Sequence, residues 1–195
     1  MTTALRRAAP ALMGCLLLGA LAGCGADTPD GILTKDQVAD SAEVKKSQGI
    51  ANQVNCKGIG EAEDQIVLAE DRGEQRPAAV FDITGDQKNH EWVDNSVWLV
   101  SDPQRAVELV SEGIDACVAD YPEHYQRVDS IDGYPEAVGY AAVEDEPPTF
   151  TRRILVPLED RVVVVGARRS GSDAFTVTPE KLLKDAVAAA KQVES

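Results

Sequence analysis

Three observations predict an α+β domain. Runs of strand-forming residues follow one another through short turns, which is typical of an antiparallel sheet. Helical patterns interrupt these runs at intervals, and two of them open on a capping residue followed by proline. Two cysteines, Cys56 and Cys117, lie in the region that folds. We therefore predict a mainly antiparallel sheet with packed helices on one face, in a single domain stapled by one disulfide.

The predicted strands are bounded by turn residues such as glycine, aspartate and asparagine. They are residues 77–84, 93–101, 136–143, 150–156 and 161–167. The last two form a hairpin, and Pro157 implies that its first strand either lies at a sheet edge or ends there. A further short strand is expected at 65–68, inside the acidic and glycine-broken stretch 57–76.

Three helices are predicted from their capping residues. Thr34 and Gln37 form a capping box that opens a short helix. Asp102-Pro103 begins a helix that runs to Tyr121, and Thr178-Pro179 begins the last one. The apolar residues of the long helix are spaced 3, 4, 3 and 4 apart and therefore share one face: Val107, Val110, Ile114, Cys117 and Tyr121.

The first 23 residues have the pattern of an export signal. Arg6 and Arg7 precede an apolar run of 15 residues, 8–22, which is short for a membrane span of about 20 residues. The run ends at Leu21-Ala22-Gly23-Cys24, which resembles the bacterial lipobox. We predict a lipoprotein signal peptide at 1–23, a lipidated Cys24, a flexible tether at 24–31 and the folded domain at 32–195. An ordinary secretory signal with a chance cysteine is the alternative.

This signal implies a protein on the extracytoplasmic face of the cell membrane, anchored by acyl chains such as palmitate. The formal net charge of the chain is −14, and removal of the signal with its two arginines makes it −16. Such a charge argues against nucleic-acid binding, which relies on lysine and arginine. It is also repelled by anionic lipid headgroups, so we expect the lipid anchor to make the membrane contact.

Cys56 and Cys117 are the cysteines left once Cys15 and Cys24 are assigned to the signal and the lipid. An exported domain permits oxidation, so we predict that the two form a disulfide. A two-ligand metal site is the alternative, but the chain has only two histidines and no tight ligand spacing. We expect no metal and no cofactor.

No pattern in the sequence indicates catalysis. Ser170 and Ser172 lack a nucleophile elbow, and His124 is a lone histidine after the long helix. The acidic run 144–146 is interpreted as a solvated loop, since paired carboxylates catalyse only when their environments differ. Neither a glycine-rich phosphate loop nor an EF-hand spacing is present. We therefore expect a protein that is not an enzyme.

Trp92 and Trp98 form the first candidate group for ligand binding. They are the only tryptophans of the chain. Because they lie six residues apart on one predicted strand, both side chains point to the same face of the sheet. If that face is the core, they pack there; otherwise they line a groove for a sugar or a lipid.

The second candidate group consists of arginines. Five lie within 18 residues: Arg152, Arg153, Arg161, Arg168 and Arg169. The planar guanidinium suits a carboxylate or a phosphate, so Arg152, Arg168 and Arg169 are candidate contacts for an anionic envelope ligand. The last two follow the predicted strand end at Ala167, and the segment 170–172 is expected to be mobile and to close over the anion. Internal pairing with the many acids is the alternative.

Four further features carry a resemblance to a known family. They are the segment Ile32-Leu33-Thr34, the cysteine-bearing helix 106–121, the apolar strand 161–167 and the closing helix 182–193. In these the chain resembles the PknH-like extracellular sensor domain, found on a mycobacterial serine/threonine kinase and in many actinobacterial lipoproteins. The resemblance implies an antiparallel sheet and helices around a cleft for an unidentified ligand. Domains of that family commonly hold two disulfides, whereas this chain can form one.

Together these patterns predict a membrane-anchored, non-enzymatic ligand-binding or sensor-like domain at the cell envelope. A structural lipoprotein that docks onto an envelope protein complex is the alternative, and an unrecognised envelope enzyme is a third interpretation. A concave pocket favours binding, whereas a flat, exposed apolar patch favours docking. Polar residues with shifted pKa values in a cleft favour an enzyme.

Overall fold

The computed structural model describes residues 28–45, 56–69, 77–83, 89–128, 130–144 and 148–192. The predicted signal peptide, Cys24 and the first part of the tether lie outside these ranges, as do residues 145–147 and position 193, where the closing helix was predicted to end. In the part of the chain that is described, no helix is long and apolar enough to cross a membrane.

Within those ranges, four helices pack against one sheet of seven strands. The strands are β1 Glu43–Lys45, β2 Ala78–Asp82, β3 Glu91–Leu99, β4 Tyr125–Val128, β5 Val138–Glu144, β6 Thr149–Pro157 and β7 Arg161–Ser170. The helices are α1 Lys35–Val38, α2 Lys57–Ala69, α3 Pro103–Asp120 and α4 Pro179–Ala190. The strand order is β1-β2-β3-β7-β6-β5-β4, and every neighbouring pair is antiparallel. The predicted fold class is confirmed.

Helices cover both faces of the sheet, so the prediction of a single covered face was wrong. In β7, Val163 and Val165 pack with α4, whereas Val162 and Val164 pack with α2 and α3. A strand that is buried on both faces is a continuous apolar run rather than an alternating one. The uninterrupted valines 162–165 therefore indicate a strand that is buried on both faces. We refer below to the α4 face and the α2–α3 face of the sheet.

The capping residues place α1, α3 and α4 as predicted. Asp102 accepts a hydrogen bond from the Arg105 backbone at 2.9 Å, with Pro103 at the first helical position. The apolar stripe of α3 is buried from Val107 to Cys117, but Tyr121 lies beyond the helix and is 49% exposed. Pro157 is the last residue of β6, an interior strand, so it marks a strand end rather than a sheet edge.

The helix α2 replaces the short strand predicted at 65–68, and that prediction was wrong. Ile59 and Ile66 are buried on one side of it, a spacing of seven that is two helical turns. Glycine disfavours a helix interior, but here it is required by packing. A Cβ at Gly113 of α3 would lie 2.6 Å from the Gly58 carbonyl oxygen, so the absence of side chains lets the two helices touch.

The predicted disulfide between Cys56 and Cys117 is confirmed. The two Cα atoms are 5.9 Å apart, and the bond joins the start of α2 to the last turns of α3. Cys117 has no exposed surface and Cys56 has 4%. The bond therefore lies in the α2–α3 core, where the apolar stripe of α3 had placed Cys117.

Candidate functional site

An open groove of about 610 Å³ lies on the α4 face of the sheet. Small-ligand sites commonly occupy about 300–1,000 Å³. The floor side chains come from β5 and β6: Ala141, Val143, Phe150 and Arg152. One wall comes from the turn before β4 and from β4 itself: Glu123, His124 and Gln126. The other wall comes from the segment that leads into α4 and from the first turn of that helix: Asp173, Ala174, Phe175, Thr178 and Glu180.

The groove exists because α4 covers only part of its face of the sheet. This helix packs on β3, β6 and β7, which lie in the middle of the strand order. Toward β4, the side chains of Ala141, Val143 and Phe150 remain partly exposed. The strand order therefore places an apolar strip of sheet beside the first turn of α4.

The buried carboxylate of Glu91 binds the segment that leads into α4 and forms a wall of the groove. Glu91 has no exposed surface, and its Oε1 accepts hydrogen bonds from the backbone of Thr176 at 2.9 Å and of Val177 at 3.0 Å. Arg169 Nη1 donates to Glu91 Oε2 at 2.9 Å and to the Ala174 carbonyl at 2.6 Å. Bonds to an ionised group are stronger than neutral ones, so this pair holds the wall in position against the sheet.

The charges around the groove are mainly negative. Its lining contains the carboxylates of Glu123, Asp173 and Glu180 but only one arginine, Arg152. Arg152 Nε donates to Glu180 Oε1 at 2.5 Å, so that carboxylate already offsets the positive charge. His124 Nδ1 donates to the Val143 carbonyl at 3.0 Å, which leaves Nε2 without the proton when the ring is neutral.

A second charged group lies on the opposite face of the sheet, beneath α2. Arg153 donates to Glu63 at 3.2 Å and to Asp94 at 3.3 Å, and all three residues are buried. Gly166 makes room for this cluster, since a Cβ there would lie 2.3 Å from Asp94 Oδ1. Burial alone lowers the pKa of Arg153, but Glu63 and Asp94, together with Tyr140, outweigh it and the pKa is raised. The cluster therefore ties α2 to the sheet through fixed charges.

The tryptophans share the α2–α3 face, as their spacing predicted, but they have different surroundings. Trp98 is 5% exposed and lies in the core with α2 and α3, so the packing interpretation is correct for it. Trp92 is partly exposed, and the Arg168 guanidinium lies 5.2 Å from the centre of its ring. The His90 ring lies nearly perpendicular to the same indole, with the two ring centres 5.0 Å apart.

The candidate ligand-binding residues do not form one site. The strand β7 continues to Ser170, so the predicted end at Ala167 was wrong, and Arg168 and Arg169 alternate between the two faces. Trp92, Trp98 and Arg168 lie on the α2–α3 face. Arg152 and Arg169 lie on the α4 face, where the first lines the groove and the second holds its wall.

Most arginines of this group form ion pairs with carboxylates of the same chain. Among the described residues, carboxylates pair with these arginines as follows: Arg152 with Glu180, Arg153 with Glu63 and Asp94, Arg161 with Asp160, and Arg169 with Glu91. Arg161 also donates to the Ala190 carbonyl at 2.9 Å and so satisfies the C-terminal end of α4. Acids distant in the sequence therefore pair with Arg152, Arg153 and Arg169, whereas the neighbouring Asp160 pairs with Arg161.

Comparison with known proteins finds no matching family model, curated protein or solved structure. The resemblance to the PknH-like extracellular sensor domain therefore stays a prediction. Among the described residues, no group of three or more histidine, cysteine, aspartate or glutamate side chains is arranged to hold a metal ion.

Sequence reasoning missed most of the residues that build the groove. Glu91 is an acid at the start of a strand, and only the pairing of β3 with β7 shows that it faces Arg169. Phe150 and Phe175 are distant from Glu123 in the sequence, and only the folded chain brings the three residues to one groove. Arg152 is the one predicted ligand contact that lines this groove.

Proposed function

We propose that the chain is a lipid-anchored extracytoplasmic protein whose domain binds a small ligand of the cell envelope without chemically changing it. The lipobox pattern at Cys24 supports the anchor, and the Cys56–Cys117 disulfide suits an oxidising compartment. The ligand occupies the groove on the α4 face. The resemblance to a ligand-binding extracellular sensor domain supports the same function.

The concave groove favours small-ligand binding over docking onto an envelope protein complex. It is concave, its volume of about 610 Å³ suits a small molecule, and its floor is partly apolar. A docking lipoprotein needs a broad exposed apolar patch. In the described part of the chain, the one large apolar side chain that is highly exposed is Tyr121, which is too small an area for that purpose.

The chemistry of the groove lining favours binding over catalysis. Among the described residues, the lining contains no serine or cysteine, and its hydroxyl groups belong to Thr151 and Thr178. A hydroxyl nucleophile needs an adjacent base, and Thr151 Oγ1 is hydrogen-bonded to no base among the described residues. Burial raises the pKa of both Tyr125 and Tyr140, but these tyrosines point into the α2–α3 core, away from the groove.

Native mass spectrometry of the protein extracted from its own envelope tests this function. We expect a noncovalent adduct on the wild-type protein and its loss in Ala141→Trp, since an indole on the floor fills the groove. Ala119→Trp is the matched control, because Ala119 lies exposed on α3. An adduct that persists in Ala141→Trp contradicts binding in the groove, and wild-type protein without any adduct contradicts ligand binding itself.

A further inference from the structure

We propose that the groove selects an organic cation, namely an ammonium group joined to a small apolar body. This inference rests on the proposed function, since it names the chemistry of the ligand bound at the same site. Two properties of the groove lining support this inference: an apolar floor, and an acidic rim formed by Glu123 and Asp173.

The floor and one wall offer apolar surface for the body of the ligand. Val143 and Phe150 are partly exposed on the sheet, and Phe175 is partly exposed on the wall that Glu91 and Arg169 hold. Burial of such surface against the apolar body of a ligand favours binding through the hydrophobic effect. Phenyl rings also attract a nearby cation electrostatically, an attraction that a carboxylate or phosphate does not gain.

The charged side chains around the groove determine whether it favours a cationic or an anionic ligand. Glu180 offsets Arg152, so an anion that used this arginine would have to displace a carboxylate of the chain at 2.5 Å. Glu123 is 66% exposed and Asp173 is exposed, and both would repel that anion. For an ammonium group the same two carboxylates are attractive. The net charge of −14 on the whole chain adds to this preference over longer distances.

This chemistry differs from the anionic ligand that the arginines predicted from sequence alone. That prediction required free guanidinium groups on one surface. In the structure, Arg169 is bonded to Glu91 and Ala174 beneath the wall. Arg168 lies against Trp92 on the opposite face of the sheet. Arg152 is the one guanidinium among the described residues of the groove lining, and it is paired.

Calorimetric titration of the full lipidated protein in nonionic detergent with three matched probes tests the inference. The probes are phenethylammonium, its neutral N-acetyl derivative and 3-phenylpropionate. We expect phenethylammonium to bind roughly fivefold or more tightly than the neutral probe and to weaken at high salt. The anion should give no saturable heat.

A pair of double variants locates the effect in the groove. Glu123→Gln with Asp173→Asn should weaken phenethylammonium binding by roughly fivefold, as loss of exposed charges does. Glu108→Gln with Glu112→Gln removes the same charge from α3, outside the groove, and should leave binding unchanged. Equal weakening in both double variants overturns the inference, because the effect then comes from net charge alone.

The remaining outcomes separate this inference from the proposed function. If the three probes bind equally, or if the anion binds best, the groove still binds ligands but does not select cations. If phenethylammonium shows no saturable binding, the inference also fails. In either case, an envelope adduct that is lost in Ala141→Trp keeps the proposed function.

Discussion

Replacing Arg153 by methionine should lower the free energy of unfolding by about 3–5 kcal/mol, because it removes the cation that pairs with two buried carboxylates. Arg153 is 5% exposed and bonds Glu63 on α2 and Asp94 on β3. Methionine fills most of the volume but supplies no positive charge. Urea unfolding, followed by the fluorescence of the buried Trp98, measures the change.

Arg152→Met is the matched control for this prediction. The two arginines are neighbours on β6 but point to opposite faces, and Arg152 pairs with Glu180 where both side chains are about one third exposed. An ion pair in contact with water contributes less than about 1 kcal/mol. If the two methionine variants lose the same small amount of stability, the buried cluster does not hold α2 on the sheet.

Removing the disulfide should have the second large effect. Cys56 and Cys117 are 61 residues apart in sequence, and a native disulfide typically contributes about 2–5 kcal/mol. We expect the double variant Cys56→Ala with Cys117→Ala to lose an amount in this range in urea unfolding. The double variant is used because a single replacement leaves a free thiol.

A reductant provides the control for the disulfide. Dithiothreitol should lower the urea midpoint of the wild-type protein and leave that of the double variant unchanged. If protein isolated from the envelope yields two free thiols on peptide mapping, or if the reductant changes neither midpoint, the disulfide does not contribute to stability as described.

The elements with strong local patterns were predictable from the sequence. Asp102-Pro103 and Thr178-Pro179 place the starts of α3 and α4, since a capping side chain and a proline act within one turn. The apolar spacing of α3 also placed Cys117 in the core. By contrast, β1 and β4 have only three and four residues, so they offer too few alternations to be recognised.

The arrangement of the site depended on contacts that no local pattern reveals. The helix α2 contains glycines that reduce helical propensity, and its packing against Gly113 explains why they are there. The arginines of β6 and β7 were interpreted together because they are close in sequence. Strand alternation and distant acids such as Glu91 and Glu63 separate them. The groove itself follows from the strand order, which no local sequence pattern indicates.

Metabolic labelling with a fatty-acid analogue tests whether the protein is anchored to the envelope by lipid on Cys24. We expect the wild-type protein to incorporate the label and to partition with membranes. Cys24→Ala should carry no label and move to the soluble or uncleaved pool, while Cys15→Ala, altered inside the apolar run, should behave as wild type. If Cys24→Ala is still processed, labelled and retained in membranes, the chain is not anchored through Cys24 and the proposed lipid anchor is wrong.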